Sequence, residues 1–414
     1  MQNIRRATRV TLTLLALTAL MGCSQNSGTD NTPQNLPRAV KEAFRSNTPV
    51  DTKIVTANTK FGFALFQELL KTESEKNLFL SPTSISLALQ IVYNGAKADT
   101  QKAMDTTLKL NGLSFADLNS MNAALQASLV SKTDDVKLTI ANGLWFRSDA
   151  VSKDFVIVNT DFYGSELGDM TKIPDSANAW VKEKTNGKIE KILPVQNYAD
   201  TIAVIVNAVY FKGAWTDKFD PTKTVDGNFT LTDGTTKKVP MMKQQVTTTF
   251  YKGTNFRAVR LPYGADKRLR LVVFLPDAGT TLKEFLTTLT PENWQTWSTK
   301  FKEALVTLEV PRFKSEYGKG LKDALTALGM GIAFSSANAN FEGIAKDSYL
   351  QFVEHKTFLE INEEGTEAAG ATSVGVGVTS VPIPQEFKAN RPFFAAIEDS
   401  KTGAILFMGQ IINP

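Results

Sequence analysis

The residue that most limits the chemistry open to this chain is its lone histidine, His355. Any histidine-based mechanism must use it, yet no G-x-S-x-G turn occurs that would present a nucleophilic serine to it. A single histidine excludes a two-histidine metal site, and a single cysteine, Cys23, excludes both an internal disulfide and a thiolate zinc cluster. A Walker-type phosphate loop is also missing. We therefore expect no catalytic residue, no metal and no cofactor.

The adjacent carboxylates of Glu363 and Glu364 are the best remaining candidates for acid–base catalysis. On a strand they would point to opposite faces, which is poor geometry for a paired-carboxylate mechanism. We therefore expect that the protein is not an enzyme. The alternative is a surface hydrolase of mixed α/β fold, which detectable turnover of a substrate would support.

The composition is that of an ordinary globular protein. The chain has 414 residues, of which 42% are hydrophobic, and its mean hydropathy is −0.14. These values allow a sizeable core. The net charge is only +4, and no basic stripe with interleaved aromatic residues occurs, so nucleic acid is not an expected partner.

The N-terminus has the features of an export signal. Arg5, Arg6 and Arg9 precede an apolar run over 10–21 that is too short to span a bilayer comfortably. The run ends at Cys23 in the sequence Leu-Met-Gly-Cys-Ser, which resembles the bacterial lipobox. That resemblance implies lipidation of Cys23 and location in the bacterial cell envelope, on the outer membrane or at the extracellular surface. A plain secretory signal cleaved nearby is the alternative.

These features divide the chain into three parts. Residues 1–22 form the lipoprotein signal peptide, and residues 23–54 form the lipidated N-terminus with a flexible spacer rich in Ser, Asn, Gln, Thr and Pro. Residues 55–414 form the folded domain, and we expect it to be a monomer.

Hydrophobic periodicity predicts an α+β domain with helices early and sheets late. The predicted helices cover 58–74, a segment starting at Ser81-Pro82 with Ser81 as N-cap, 97–108, 115–130, 175–186 and regions near 281–300 and 318–329. The predicted strands cover 136–146, 201–211, several short runs within 226–275, 349–361, 391–397 and 404–411.

One segment, residues 368–385, has eighteen residues without a charge or an aromatic ring: AAGATSVGVGVTSVPIPQ. Small residues favour an exposed loop. The segment also has period two, with branched residues at the even positions and small or polar ones at the odd positions. Such a chain could lie in solvent and also fit into a sheet as a strand; a linker or an edge hairpin is the alternative.

Several long motifs recur in the order found in one known family. They are NLFLSPTSI at 77–85, VNAVYFKGAW at 206–215, VPMM at 239–242, LPD at 275–277, EEGTEAA at 363–369, NRPF at 390–393 and FMG at 407–409. With these motifs, residues 58–414 resemble the serpin family along their whole length. The resemblance implies a fold of three β-sheets, eight or nine helices and an exposed reactive loop.

The resemblance implies a serine protease inhibitor that acts as a suicide substrate. In that family a protease cleaves the reactive loop, stays attached as an acyl-enzyme, and is distorted when the loop inserts into the large sheet; this insertion is an established example of switching by β-strand addition. The matching hinge residues are Glu363, Gly365, Thr366, Glu367, Ala368, Ala369, Gly370 and Ala371. Most are small, so the pattern favours an inhibitory member. A non-inhibitory serpin that acts as a cell-surface binding module is the alternative.

The family spacing places the reactive bond at Thr379-Ser380, sixteen residues after Glu363, with neighbouring bonds from Val378 to Val381 as alternatives. Val378 and Thr379 are small and β-branched, which suits an elastase-like serine protease with a shallow apolar pocket. A cysteine protease target stays open. The resemblance also implies a shutter of Ser81, Ser84, Asn207 and His355 beneath the large sheet. It places Trp215 at the breach, where insertion begins.

Overall fold

The structure, a computed structural model, describes residues 33, 36–130, 135–147, 151–196, 198, 201, 203–366 and 383–414. In that part of the chain there are ten α-helices and fifteen strands. The helices are α1 Arg38–Arg45, α2 Thr52–Glu73, α3 Pro82–Tyr93, α4 Ala98–Leu108, α5 Phe115–Leu129, α6 Lys153–Tyr163, α7 Asp175–Lys184, α8 Leu282–Thr288, α9 Pro291–Ser298 and α10 Lys322–Leu325. The strands are β1 Leu78–Leu80, β2 Val136–Phe146, β3 Glu166–Asp169, β4 Ala203–Ala214, β5 Val225–Thr230, β6 Thr236–Lys252, β7 Phe256–Pro262, β8 Leu269–Pro276, β9 Lys302–Pro311, β10 Phe313–Gly320, β11 Glu354–Ile361, β12 Gly365–Thr366, β13 Gln385–Lys388, β14 Phe393–Asp399 and β15 Ile405–Ile411.

The α+β class predicted from periodicity is confirmed, and the long periodic segments agree with the structure within a few residues. The sequence pattern did not predict helix α6 or strands β1, β3, β9, β10, β12 and β13. It predicted a helix over 318–329, whereas β10 runs to Gly320 and only one short turn, α10, follows. In β10 the inward residues Phe313, Ser315 and Tyr317 alternate with exposed polar ones, a period that its two glycines and two lysines obscured.

The strands form two hydrogen-bonded sheets rather than the three that were expected. The six-stranded sheet has the order β10-β11-β4-β2-β3, with β12 also paired to β4. The nine-stranded sheet has the order β1-β15-β14-β8-β7-β6-β9-β13, with β5 on β6. Strand β6 has 17 residues and pairs with β5, β9 and β7. It therefore joins what would otherwise be two sheets.

Helix α1 corrects the expected spacer. Val40 is 1% exposed and packs with Ala123 and Ala127 of α5, while the Arg38 guanidinium lies 2.6 Å from the Asp161 carboxylate of α6. The prediction of a flexible spacer over 23–54 is therefore wrong from Arg38 onward, because this segment buries an apolar face against the domain. No helix in the described ranges is long and apolar enough to cross a membrane.

Helix α3 lies beneath the six-stranded sheet, and all twelve of its residues are buried. Pro82 occupies its first turn, as the sequence predicts. Ser81 makes no side-chain cap, since its hydroxyl donates instead to the carbonyl of Leu406 on β15, at 2.5 Å. The start of α3 is thus tied to the second sheet, which fixes the helix between the two layers.

Candidate functional site: an open slot and the hinge that enters it

The six-stranded sheet is incomplete between β4 and β11. These strands pair in parallel only where Glu354–Lys356 faces Val206–Ala208. Beyond that contact, toward the C-terminal end of β4 (called the upper end below), no described strand pairs with residues 209–212 of β4 on the β11 side. At the far end, Gly365 and Thr366 pair antiparallel with Ala214 and Gly213. Among the described residues, the result is a slot bounded at both ends, whose open edge is residues 209–212 of β4.

The first hinge residues already occupy the top of this slot. Thr366 is 1% exposed, and its hydroxyl lies 3.0 Å from the hydroxyl of Tyr263, whose pKa is raised by burial. Gly365 has a φ of 143°, and a Cβ there would lie 2.1 Å from the carbonyl oxygen of Gly213. Only glycine allows this approach of the two backbones.

The two adjacent glutamates anchor the hinge and do not act as a pair. The Glu363 carboxylate accepts a hydrogen bond from the Thr224 hydroxyl at 2.7 Å and lies 3.5 Å from the Arg312 guanidinium. The Glu364 carboxylate pairs instead with the Lys218 ammonium at 2.8 Å. Because each has its own cationic partner, the arrangement offers no acid–base couple.

Trp215 packs against the hinge. Its ring stacks on Tyr263 with centroids 4.4 Å apart, and its Nε1 donates to the carbonyl of Asn362 at 2.8 Å. Its backbone N–H donates to the carbonyl of Glu364 at 2.9 Å. At 3% exposure the ring has no free face for a ligand. Trp215 therefore holds the turn that leads the chain from β11 into the slot.

The expected shutter residues come together at the lower closure of the slot. His355 and Asn207 face each other across β11 and β4. The hydroxyl of Ser84 donates to the side-chain oxygen of Asn207, and the Asn207 amide donates to Asn142 on β2 at 2.9 Å. This chain of hydrogen bonds links α3, β4 and β2.

Among the described residues, the His355 side chain makes a single hydrogen bond. Its Nε2 accepts from the backbone N–H of Ser81 at 3.2 Å, and its Nδ1 has no partner within the described part of the chain. The side chain is 1% exposed, and burial lowers its pKa to about 3. The imidazole of the folded protein is therefore neutral down to strongly acidic pH.

Several predicted site residues lie outside the described residues. They are the hinge residues Glu367, Ala368, Ala369, Gly370 and Ala371, the reactive bond Thr379-Ser380, and the lipidation site Cys23. Within the described ranges, no group of three or more His, Cys, Asp and Glu side chains could hold a metal ion.

Comparison with known proteins identifies the family and the fold. The family model described as Serpin (serine protease inhibitor) matches residues 56–414. The chain belongs to the serpin family. Leukocyte elastase inhibitor from Bos taurus is 36% identical over 383 residues, covering 87% of this chain and 100% of that protein. Human serpin I2 is 31% identical, covering 86% of this chain and 91% of that protein.

Solved structures of other proteins show the same architecture. Tengpin, a thermophilic serpin in its native state, matches with a TM-score of 0.80 and 30% identity, covering 89% of this chain and 96% of tengpin. The complex of thyroxine-binding globulin with thyroxine matches with a TM-score of 0.78 and 27% identity, covering 87% and 99%. Because a thyroxine-binding protein shares this architecture, the fold alone does not fix the activity.

Sequence reasoning missed some residues that build the site. Tyr263 bonds Thr366 and stacks on Trp215, but in the sequence it is only the middle of a Pro-Tyr-Gly turn. Thr224 and Arg312 bind Glu363 from two distant segments. No local pattern links such residues, because the contacts exist only after the two sheets pack.

We expect His355→Asn to flatten the acid dependence of stability. The unfolded histidine titrates near 6.5 and the folded one near 3, so its contribution is complete above pH 6.5 and is lost as the pH falls toward 3. Between pH 7 and 4.5 this amounts to about 2–3 kcal/mol of unfolding free energy, which the wild type loses and the variant does not. Denaturant midpoints at both pH values measure the difference, and equal losses in the two proteins would contradict it.

We expect Gly365→Ala to displace the hinge from β4, because the added methyl group meets the Gly213 carbonyl and the backbone has a positive φ. Exposure of Trp215 would then shift the tryptophan emission to longer wavelength. Gly279→Ala is the matched control, since Gly279 also has a positive φ, 90°, but no atom lies within 4 Å of the position that its added methyl group would take. An unchanged spectrum for Gly365→Ala, or the same shift in a Trp215→Phe background, would argue against the assignment.

Proposed function

We propose that this chain inhibits serine proteases as a suicide substrate whose cleaved loop inserts into the slot between β4 and β11. The observation that carries this proposal is the slot itself, which Gly365 and Thr366 already enter at one end. The loop that follows Thr366 would continue the antiparallel pairing downward. The family's description as serine protease inhibitors agrees with this activity.

Full insertion requires the lower closure of the slot to open. Fourteen inserted residues, Thr366 to Thr379, would span about 45 Å, whereas the open edge of β4 at residues 209–212 offers only about 13 Å. The pairs between Glu354–Lys356 and Val206–Ala208 must therefore separate. His355 and Asn207 lie at this point, so the shutter residues set the resistance to opening. Each backbone hydrogen bond formed by the inserting strand contributes about 1 kcal/mol.

The covalent step is ordinary acyl transfer. The catalytic serine of the protease attacks the carbonyl carbon of Thr379, the bond to the Ser380 nitrogen breaks, and the new amine takes the proton from the protease's general base. The product is an ester between Thr379 and the protease. Insertion then carries this ester to the far end of the sheet and distorts the protease before water hydrolyses the ester.

An elastase-like protease is the target that the loop favours. Val378 and Thr379 are small and β-branched, and no Lys, Arg or aromatic residue lies within 368–385. The similarity to leukocyte elastase inhibitor supports the same choice. A cysteine protease is the alternative target, and the same assay for a covalent complex applies to it.

We further propose that Cys23 carries a lipid that tethers the domain to the bacterial cell envelope, with Ser24 after it compatible with the outer membrane. The lipobox-like sequence before Cys23 supports this location. The tether would end at α1, which packs on the domain. Loss of membrane association in Cys23→Ala, with a retained signal peptide, tests the anchor.

Mixing the purified protein with elastase tests the inhibitory function. We expect an SDS-resistant complex and a released peptide that begins at Ser380. Thr366→Arg would place a charge in a buried position at a cost of several kcal/mol, so insertion stalls and the protein becomes a substrate that is cleaved without a complex. Thr247→Arg, on an exposed position of β6, should behave as the wild type.

The stoichiometry of inhibition measures this difference, and we expect it to rise about tenfold or more in Thr366→Arg. Cleavage of the wild type without a complex, by elastase and by a cysteine protease, would contradict the proposal and favour the non-inhibitory binding module. Steady turnover of an ester or peptide substrate by the wild type would instead favour the hydrolase.

A further inference from the structure

Glu354 is the first residue of β11 and lies at the lower closure of the slot, where its register partners are Val206 on β4 and Gly320 on β10. The residue is half-buried. Its carboxylate forms neither a hydrogen bond nor an ion pair with any residue that the structure describes. Such a carboxylate is unfavourable where two strands meet, since a charge that leaves water without a partner costs free energy.

The surroundings of the Glu354 carboxyl group are poor in water and in polar partners. Next to it lies a cavity of about 30 Å³, with room for about one water molecule, between α3, the start of β4 and residues 350–353. On the β10 side, Gly320 offers no side chain, and a Cβ there would lie 3.3 Å from Oε1 of Glu354. Burial among these neighbours raises the pKa of the Glu354 carboxyl group, because it disfavours the charged form.

The lysines nearest to Glu354 are bound elsewhere. Lys356 follows on the same face of β11 and lowers the Glu354 pKa by less than burial raises it. Its ammonium group donates to the carbonyl of Lys191 at 2.5 Å. On β10, the ammonium group of Lys319 pairs with the Glu73 carboxylate at 2.6 Å. The residues that α3, β4 and 350–353 contribute to the cavity are all uncharged.

Two other titratable groups lie near Glu354 and are neutral in the folded protein at physiological pH. Burial raises the pKa of the Tyr198 phenol, which belongs to the segment between α7 and β4. His355, the next residue of β11, points to the opposite face of the strand and accepts a hydrogen bond from the backbone of Ser81. Neither group supplies a positive charge that would stabilise the carboxylate.

We propose that Glu354 is a proton-operated latch of the six-stranded sheet: the neutral carboxyl group keeps β4 and β11 together, and the ionised one weakens their contact. The latch is a property of the native fold. Its consequence for inhibition rests on the proposed function, because an inserting strand must separate the same residue pairs. Insertion is then faster at neutral pH than in acid.

The direction of the effect follows from proton linkage. The Glu354 pKa lies above its ordinary value of 4.5 in the closed sheet and returns toward that value when the strands separate and water enters. The contribution of Glu354 to closure is therefore complete below pH 4.5 and is lost as the pH rises through the raised pKa. His355 acts in the opposite direction, because burial in the closed sheet lowers its pKa.

Hydrogen exchange of the full protein tests the latch, because backbone amides in 354–356 and 206–208 exchange when these strands separate. The measured quantity is the opening constant of the wild type divided by that of Glu354→Gln, after correction for the pH dependence of chemical exchange. We expect a ratio close to one in strong acid, where the carboxyl group is neutral like the amide, and a severalfold higher ratio at neutral pH. His355 does not affect the change in this ratio, since both proteins contain it.

Glu360→Gln is the matched control, because Glu360 lies on the same face of β11 and is also half-buried, but is paired with β10 beyond the closure. The ratio of wild type to this control should stay constant with pH. Glu354→Leu, which also removes the ionisable group, should give the same change in ratio as Glu354→Gln. A constant ratio for both Glu354 variants, or an equal change for Glu360→Gln, would overturn the proposal.

The effect on inhibition is measured separately, with elastase at neutral pH. Glu354→Gln should increase the fraction of inhibitor that is cleaved without a complex, because slower insertion gives water more time to hydrolyse the ester. An unchanged fraction, together with the expected exchange result, would overturn the link to insertion while the latch stands. If the wild type traps no protease at all, the proposed function is refuted, and the exchange result still decides the latch.

Discussion

The rest of this structure depends on one constraint. Within the described residues, the middle of β4 has no neighbouring strand on its β11 side, although β4 lies inside the sheet. Backbone N–H and C=O groups favour hydrogen-bond partners, and a buried group without one costs free energy. Strand β4 pairs with β2 from residue 203 to residue 213, but on its β11 side the described residues pair with it only at the two ends. Under the proposed function, a further strand that enters here stabilises the sheet, and the surrounding residues either delay or allow its entry.

The lower closure is built from polar groups buried beneath the sheet. Ser84, Asn207 and Asn142 form one hydrogen-bonded chain, and His355 accepts from the backbone at the start of α3. The Ser81 hydroxyl ties that same start to β15. Since α3 is buried throughout, opening the strands means breaking several hydrogen bonds at a site where water does not replace them at once.

The upper end of the slot between β4 and β11 accommodates the first residues of the hinge. Gly365 allows the chain to approach the backbone of Gly213 closely. Thr366 is small, and when it is buried its hydroxyl forms a hydrogen bond with the hydroxyl of Tyr263. Glu363 and Glu364 anchor the turn on opposite sides through Arg312 and Lys218.

The sequence alone determined the α+β class, most long helices and strands, the absence of a histidine-based catalytic pattern, and, through its motifs, the family. Each of these features depends on residues that are close together in the sequence or on motifs in a fixed order. Examples are the helix start at Ser81-Pro82, the apolar strand over 201–211 and the small residues after Glu363. Only the tertiary structure decided that Gly365 and Thr366 are already paired in the sheet, that two expected sheets share β6, that α1 is docked, and that His355 lies neutral against the backbone of Ser81. The partners in these contacts are separated by tens to hundreds of residues in sequence, and they meet through packing and desolvation, which no local periodicity encodes.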